Sequence, residues 1–251
     1  MKKYKVIFCQ GGLGDHLALS TLPEEWSKKG YDVYLSYSNV HRNLEIYDLV
    51  WKCNPFIKGF IDGITSPFNE SIQDYDPNDE NHLINMSFIQ KIEADSGIFD
   101  TGNQIPKVYI TTNKIPELEN KTIVNFESIS SKYEAQDVLE KLKRIIQENN
   151  IDQSDILELY VDKNINEFAH NFMELKDVSK IETNFPKYTI NNIYQHADVI
   201  NSCKNYITVL SGGASLAAAL NKKETWVIMN ENLRELYRIN RFIYPNQTYV
   251  F

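Results

Sequence analysis

The chain of 251 residues has few cysteines, fewer basic than acidic residues, and no long apolar run. Its three cysteines, Cys9, Cys53 and Cys203, form no Cys-x-x-Cys or Cys/His pattern, so we expect reduced thiols rather than disulfides or a metal site. The 26 Lys and Arg against 34 Asp and Glu give a net charge of −8, which argues against a dedicated nucleic-acid binder.

No apolar run approaches the roughly 18 residues of a membrane span. The basic N-terminal start is followed by an apolar run, Val6 to Cys9, that is too short for a signal peptide. We therefore expect a cytoplasmic protein, and a peripheral encounter with the inner face of a membrane stays open. Hydrophobic residues make up 42% of the chain, which is too many for a disordered protein and enough for one large or two small domains.

The first forty residues have the pattern of one βαβ unit. Tyr4 to Cys9 is typical of a buried parallel strand, and the apolar spacing of His16 to Lys29 predicts a helix that starts or kinks at Pro23 and ends at Gly30. Tyr31 to Tyr37 alternates like a second strand. The rest of the first half is predicted as a helix (Leu44 to Cys53), a strand (Lys58 to Ile61), a loop (Thr65 to Asn81), a helix (His82 to Ile92) and a linker (Ala94 to Pro106).

The second half repeats this alternation. Strands are predicted over Thr122 to Phe126, Ile156 to Val161, Tyr206 to Leu210 and Thr225 to Met229, and helices over Ala135 to Asn149, Ile190 to Cys203, Leu216 to Leu220 and Asn232 to Arg241. This alternation of strands and helices predicts an α/β fold of two Rossmann-like domains facing a cleft, with residues 1–105 in the first and 106–251 in the second.

One turn that could carry chemistry runs from Gly11 to His16, where a strand meets a helix. Its glycines allow a ligand to approach the backbone, and a helix N-terminus favours an anion. The turn does not match the dinucleotide-binding fingerprint, because His16 or Leu17 occupies the position of its third glycine. It does not match the P-loop either, because no Gly-Lys-Ser/Thr is present. Asp15 is either a general base or a cap of the helix.

Two further segments could bind a phosphate. Ser211 to Ser215 is a small-residue turn that offers backbone donors and hydroxyls, and Asn125 to Lys132 adds hydroxyls and one lysine. The alternatives are a packing turn with Ser215 near a helix N-cap, and a solvated loop. His196, on a predicted helix, is interpreted as structural.

Several stretches form a recognisable pattern in this order along the chain: Gly12 to Leu17, Leu22-Pro23, Asn54 to Ile57, Ala197-Asp198 and Tyr206 to Leu220. They resemble the bacterial heptosyltransferase family, the ADP-heptose:lipopolysaccharide type of glycosyltransferase. The chain departs from the family pattern at Leu210, where an acidic residue is usual, at Gly213-Ala214, where Pro-Met is usual, and at Ser215, where a histidine is usual. It is also shorter than a typical member.

The resemblance implies a GT-B fold, with an acceptor-side first domain and a second domain that binds a nucleotide-sugar. It implies transfer of a sugar from a nucleotide-diphosphate sugar to a hydroxyl of a glycan or lipid-linked glycan, in surface glycan, lipopolysaccharide or capsule synthesis. Asp15 falls on the position associated with the catalytic base. The expected substrate-binding residues are Gly12, Gly14, His16, Ser128, Lys132, Ser211, Gly212, Gly213, Ala214 and Ser215.

We expect neither a metal nor another cofactor, because GT-B enzymes usually need no metal and Asp74-Tyr75-Asp76 lies in a polar acidic loop. One alternative function is a catalytically degenerate GT-B-like protein that binds a nucleotide-sugar or a glycan. Another is a different Rossmann-type enzyme, such as a nicotinamide-dependent oxidoreductase.

Overall fold

The computed structural model describes residues 3–41, 44–62, 86–128, 133–161, 181, 183–230 and 242–251. The chain divides into two compact units: unit 1 is Met1–Ile110 with Leu236–Pro245, and unit 2 is Thr111–Glu235 with Asn246–Phe251. Lys132 and the segments predicted as a loop (Thr65 to Asn81) and as the last helix (Asn232 to Arg241) lie outside the described residues. In the described ranges, no helix has both the length and the apolarity to cross a membrane.

Unit 1 contains a parallel sheet of three strands in the order β1, β3, β5. A separate pair of two-residue strands, β2 and β4, is also parallel. The strands are β1 (Tyr4–Ile7), β2 (Gln10–Gly11), β3 (Asp32–Ser36), β4 (Val40–His41) and β5 (Ile57–Ile61), and the helices are α1 (Leu13–Ala18), α2 (Leu22–Lys28), α3 (Leu44–Tyr47), a π-helical turn (Asp48–Lys52) and α4 (Phe88–Asp95).

The predicted break at Pro23 is confirmed. The apolar pattern forms two helices, and Pro23 lies in the first turn of α2, where a missing N–H removes no helical bond. Gly30, at φ +83°, takes the left-handed conformation just after the helix, as expected.

The segment predicted as a linker, Ala94 to Pro106, belongs to unit 1, and it and the adjoining Lys107 are hydrogen-bonded to the rest of that unit. The backbone N–H of Lys107 donates to Ser20 Oγ at 2.8 Å, and its ammonium lies 2.6 Å from the carboxylate of Glu24. Asn103 donates to Glu25 and to the buried Glu93. The polar residues that suggested a linker therefore fix this segment in place through hydrogen bonds.

Unit 2 contains a parallel sheet of six strands in the order β11, β10, β9, β6, β7, β8. Counted within the unit, this is the 3-2-1-4-5-6 order of dinucleotide-binding folds. The strands are β6 (Thr122–Asn125), β7 (Ile156–Val161), β8 (Lys187–Ile190), β9 (Asn205–Val209), β10 (Thr225–Ile228) and β11 (Thr248–Val250), and the helices are α5 (Ala135–Glu148), α6 (Ile193–Ser202), α7 (Gly212–Ala219) and short 3₁₀ turns at Pro116–Leu118 and Gln153–Asp155.

The predicted α/β fold class, with parallel sheets, is confirmed. Several details differ from the sequence expectation. The sequence patterns do not predict the short strands β2 and β4 or the edge strands β8 and β11. The helix α6 begins at Ile193 rather than at Ile190, and α7 begins at Gly212 rather than at Leu216. The core of unit 2 lies between the sheet and α5, which buries Val138, Leu142 and Ile145.

The chain order reverses between β6 and β9, which are neighbours in the sheet, with Asn125 opposite Thr208. In open α/β sheets, ligands bind outside the carboxyl ends of the strands at such a switch point. The segments that follow β6 and β9 are the two candidates for phosphate binding, Asn125 to Lys132 and Ser211 to Ser215. The topology therefore brings them together.

Candidate functional site

The segment after β9 is the N-terminus of α7. Ser211 occupies the N-cap position in an extended conformation, with φ −155° and ψ 178°, but its side chain does not cap the helix. The Ser211 Oγ atom is buried and has no hydrogen-bond partner within the described part of the chain. Together with the first N–H groups of α7, this hydroxyl forms a set of donors suited to an anion.

The expected substrate-binding residues of this turn divide into two groups. Ser211 and Gly212 are partly exposed, whereas Gly213, Ala214 and Ser215 are buried. The backbone N–H of Ser215 donates to the Ser211 carbonyl at 3.3 Å, and the Ala214 carbonyl accepts from Gln247. In this arrangement Ser211 and Gly212 can contact a ligand directly, and the other three support them from below.

The segment after β6 begins with Asn125. Its side-chain oxygen accepts the Glu127 N–H at 3.2 Å, which turns the chain sharply at the end of the strand. Ser128, an expected substrate-binding residue, is buried at 3% exposure. Tyr133, just beyond the undescribed residues 129–132, donates through its hydroxyl to the Leu210 carbonyl at 3.3 Å, so the two segments are also linked to each other.

Unit 1 holds the third expected site, at the start of α1. The Gly12 N–H donates to Asp15 Oδ2 at 2.9 Å, so the Asp15 carboxylate folds back over the preceding glycines. A Cβ atom at Gly11 would overlap that carboxylate, which explains the glycine there. Asp15 therefore caps α1 and stays partly exposed. The two interpretations of Asp15, a helix cap and a general base, are thus compatible. Gly14 lies within α1 and is also partly exposed.

His16 is buried beside a second aromatic residue. The Trp51 indole N–H donates to His16 Nδ1 at 2.9 Å. Because an indole N–H can only donate, Nδ1 must accept, and the imidazole is held neutral with its proton on Nε2. Since His16 has no exposed surface, a role in positioning the start of α1 suits it better than direct contact with a substrate.

The two buried cysteines, Cys9 and Cys203, are not set up as nucleophiles. Burial, and after it the nearby Asp15 carboxylate, raise the pKa of the Cys9 thiol. Burial raises the pKa of Cys203 to about 12. Both groups are therefore thiols at neutral pH. Among the described residues, no three His, Cys, Asp or Glu side chains are grouped to hold a metal ion. The expectation that the protein needs no metal stays a prediction.

No protein-family model and no curated protein matches the sequence. Two solved structures of TibC, a protein of enterotoxigenic E. coli H10407, share its fold. The first, described as an iron-containing dodecameric glycosyltransferase, has a TM-score of 0.59 at 13% identity. The second, described as a heptosyltransferase in complex with ADP-D-β-D-heptose, has a TM-score of 0.58 at 12% identity.

In both comparisons the match covers 99% of this chain and 63% of the TibC chain. At this identity the likeness shows the fold. The resemblance to heptosyltransferase-type glycosyltransferases that the sequence motifs suggested is thus confirmed at the level of the fold. The chain spans less than two thirds of the length of TibC.

Proposed function

We propose that this protein is a glycosyltransferase that moves a sugar from a nucleotide-diphosphate sugar to an acceptor hydroxyl in the synthesis of a surface glycan such as lipopolysaccharide or capsule. One observation carries the proposal. The two segments selected for phosphate binding follow β6 and β9, the strands on either side of the switch point of unit 2. The complex of TibC with a nucleotide-sugar supports the same assignment.

In this proposal the donor diphosphate binds to the N-terminus of α7. The Gly212 N–H and the unpartnered Ser211 hydroxyl donate to phosphate oxygens, and the helix dipole favours their negative charge. Ser128 and Lys132 contribute from the segment after β6. These groups stabilise the nucleoside diphosphate as it leaves, when its negative charge increases.

Asp15 is the proposed general base. Within the described residues its carboxylate accepts one hydrogen bond, through Oδ2, so Oδ1 can take a proton. The acceptor oxygen forms a bond to the anomeric carbon, its proton passes to Asp15, and the bond from that carbon to the diphosphate oxygen breaks. The acceptor is a glycan or lipid-linked glycan, which would bring the enzyme to a membrane surface, and the reaction needs no metal.

A thermal-shift screen with ADP, UDP, GDP, CMP, their sugars and NAD tests the donor class, because a ligand that binds only the folded state raises the melting temperature. We expect one nucleoside diphosphate to raise it. The control is Asp15→Asn, which should bind that nucleoside diphosphate as the wild type does but should no longer hydrolyse the corresponding nucleotide-sugar slowly. A shift with NAD alone would contradict the proposal. Binding without turnover in the wild type would indicate the degenerate binding protein instead.

A further inference from the structure

Three polar side chains lie directly beneath the N-terminus of α7. The Tyr206 hydroxyl is 3.0 Å from His196 Nε2 and 3.1 Å from Asn125 Nδ2. Tyr206 is fully buried and Asn125 is 5% exposed. They come from different elements: Asn125 ends β6, His196 lies on α6, and Tyr206 lies in β9.

The amide of Asn125 has a fixed orientation in this cluster. Asn125 Oδ1 accepts the Glu127 N–H, so its amide group points Nδ2 at the Tyr206 oxygen, which accepts from it. The Tyr206 hydroxyl and His196 Nε2 share a hydrogen bond whose direction is set by the tautomer of the imidazole. Burial lowers the pKa of His196 to about 4, although part of the residue is exposed, so its ring is neutral at neutral pH.

The first turn of α7 packs directly against this cluster. A Cβ atom built on Gly213 would lie 2.8 Å from Tyr206 Oη and 3.3 Å from both Asn125 Nδ2 and His196 Cε1. The second residue of α7 thus rests on all three polar groups. Asn125 also shapes the segment after β6, so the cluster is hydrogen-bonded to that segment and in packing contact with the segment after β9.

We propose that Asn125, Tyr206 and His196 are positioning residues that hold the two segments in the arrangement that binds the donor diphosphate. They do not contact the ligand. They fix the height and direction of the Gly212 N–H, and the turn at Glu127 and Ser128, before the ligand arrives. The assignment of a donor to this site rests on the proposed function, whereas the coupling of the two segments does not.

The test compares two variants that each remove one buried hydrogen-bonding oxygen between β6 and β9. Tyr206→Phe keeps the ring and breaks the cluster. Thr122→Val is the matched control, since Thr122 Oγ1 accepts from Asn205 at 2.9 Å at the opposite ends of the same two strands. Asn125→Leu, which keeps the branched shape of Asn without its polar atoms, breaks the cluster at its other end and serves if Tyr206→Phe does not fold.

Hydrogen–deuterium exchange of the ligand-free protein is the first measurement. We expect Tyr206→Phe to speed exchange in peptides that cover 126–128 and 211–215 together, and Thr122→Val to leave both as in the wild type. Titration with ADP is the second, and we expect Tyr206→Phe to bind it about tenfold more weakly, with the control unchanged.

Unchanged exchange in Tyr206→Phe, or faster exchange in only one of the two segments, would overturn the inference, and so would wild-type ADP affinity in a variant with faster exchange. If both segments exchange faster but the wild type binds none of ADP, UDP and GDP, the coupling is established and the proposed function fails.

Discussion

The Tyr206 hydroxyl lies 3.0 Å from Nε2 of His196, and this contact joins β9 to the helix that precedes it along the chain. It places a neutral imidazole under the helix turn to which we assign the donor diphosphate. We therefore expect this contact to contribute both to stability and to donor binding, and the two effects can be measured separately.

Stability should fall in weak acid because of His196. Its pKa is lowered to about 4 from 6.5 by burial, so the unfolded chain binds a proton more readily between these values. The contribution is fully present above pH 6.5 and is lost as the pH falls towards 4. Melting temperatures from pH 7.5 to 4.5 should show this slope, and His196→Gln should reduce it. His41, whose pKa burial also lowers, adds a slope of the same sign, so the variant keeps part of it. An unchanged slope would contradict the assignment.

The contact between Trp51 and His16 should contribute to the stability of unit 1. Trp51→Phe leaves buried His16 Nδ1 without its donor, which we expect to cost about 1–3 kcal/mol in urea unfolding. Trp26→Phe is the matched control, because Trp26 is equally buried but donates to the Ser96 carbonyl at 3.3 Å. The ¹⁵N chemical shifts of the His16 imidazole should change only in Trp51→Phe; a similar change in both variants would argue against the fixed tautomer.

Glu24 should stabilise the protein down to strongly acidic pH. Burial alone would raise its pKa, but hydrogen bonds from Lys107, Lys28 and Tyr109 outweigh that effect and lower it to about 2. The stabilisation is present above pH 4.5 and is lost as the pH falls towards 2. We expect Glu24→Gln to cost about 1 kcal/mol at pH 7 and nothing near pH 2. Glu119→Gln, at an exposed position, should show no difference from the wild type at either pH.

The position of the Asp15 side chain should depend on Gly11, four residues earlier in the chain. In Gly11→Ala the new Cβ would displace the Asp15 carboxylate. If Asp15 is the base, this variant should lose about 10²-fold or more in transfer rate, as Asp15→Asn should, while its affinity for the donor stays unchanged. Single-turnover kinetics with the donor identified by the thermal-shift screen would show this. Wild-type turnover in Gly11→Ala would mean that Asp15 only caps α1.

The sequence predicts most of the fold where apolar periodicity is strong. The helix expected over Ala135 to Asn149 matches α5 within one residue because its buried positions repeat with helical spacing. The edge strands β8 and β11 escape detection because they are short and exposed on part of their surface. The start of α7 was missed because a Gly-Gly pair suggests a turn, although glycines are tolerated in the first turn of a helix.

The candidate site was predictable only in part. Ser211 and Gly212 could be selected because small residues after a buried strand are a local pattern. The role of His196 could not be predicted from the sequence. Its hydrogen-bond partner Tyr206 looks like a core residue of a strand, and Asn125 lies 71 positions away from His196 in the sequence. Such contacts depend on the order of strands in the sheet, which local patterns do not specify.

The most direct test of the account is a titration of Gly212→Pro with ADP. Gly212 is the first residue of α7, where proline fits the helix, and the extended conformation of Ser211 is the one that a following proline favours. The substitution therefore removes one N–H donor and keeps the helix. Ala135→Pro, at the first position of α5, is the matched control.

The account predicts that the wild type and Ala135→Pro bind ADP equally, and that Gly212→Pro binds it about tenfold more weakly at an unchanged melting temperature. Equal ADP affinity in all three proteins would contradict the assignment of the diphosphate to the N-terminus of α7.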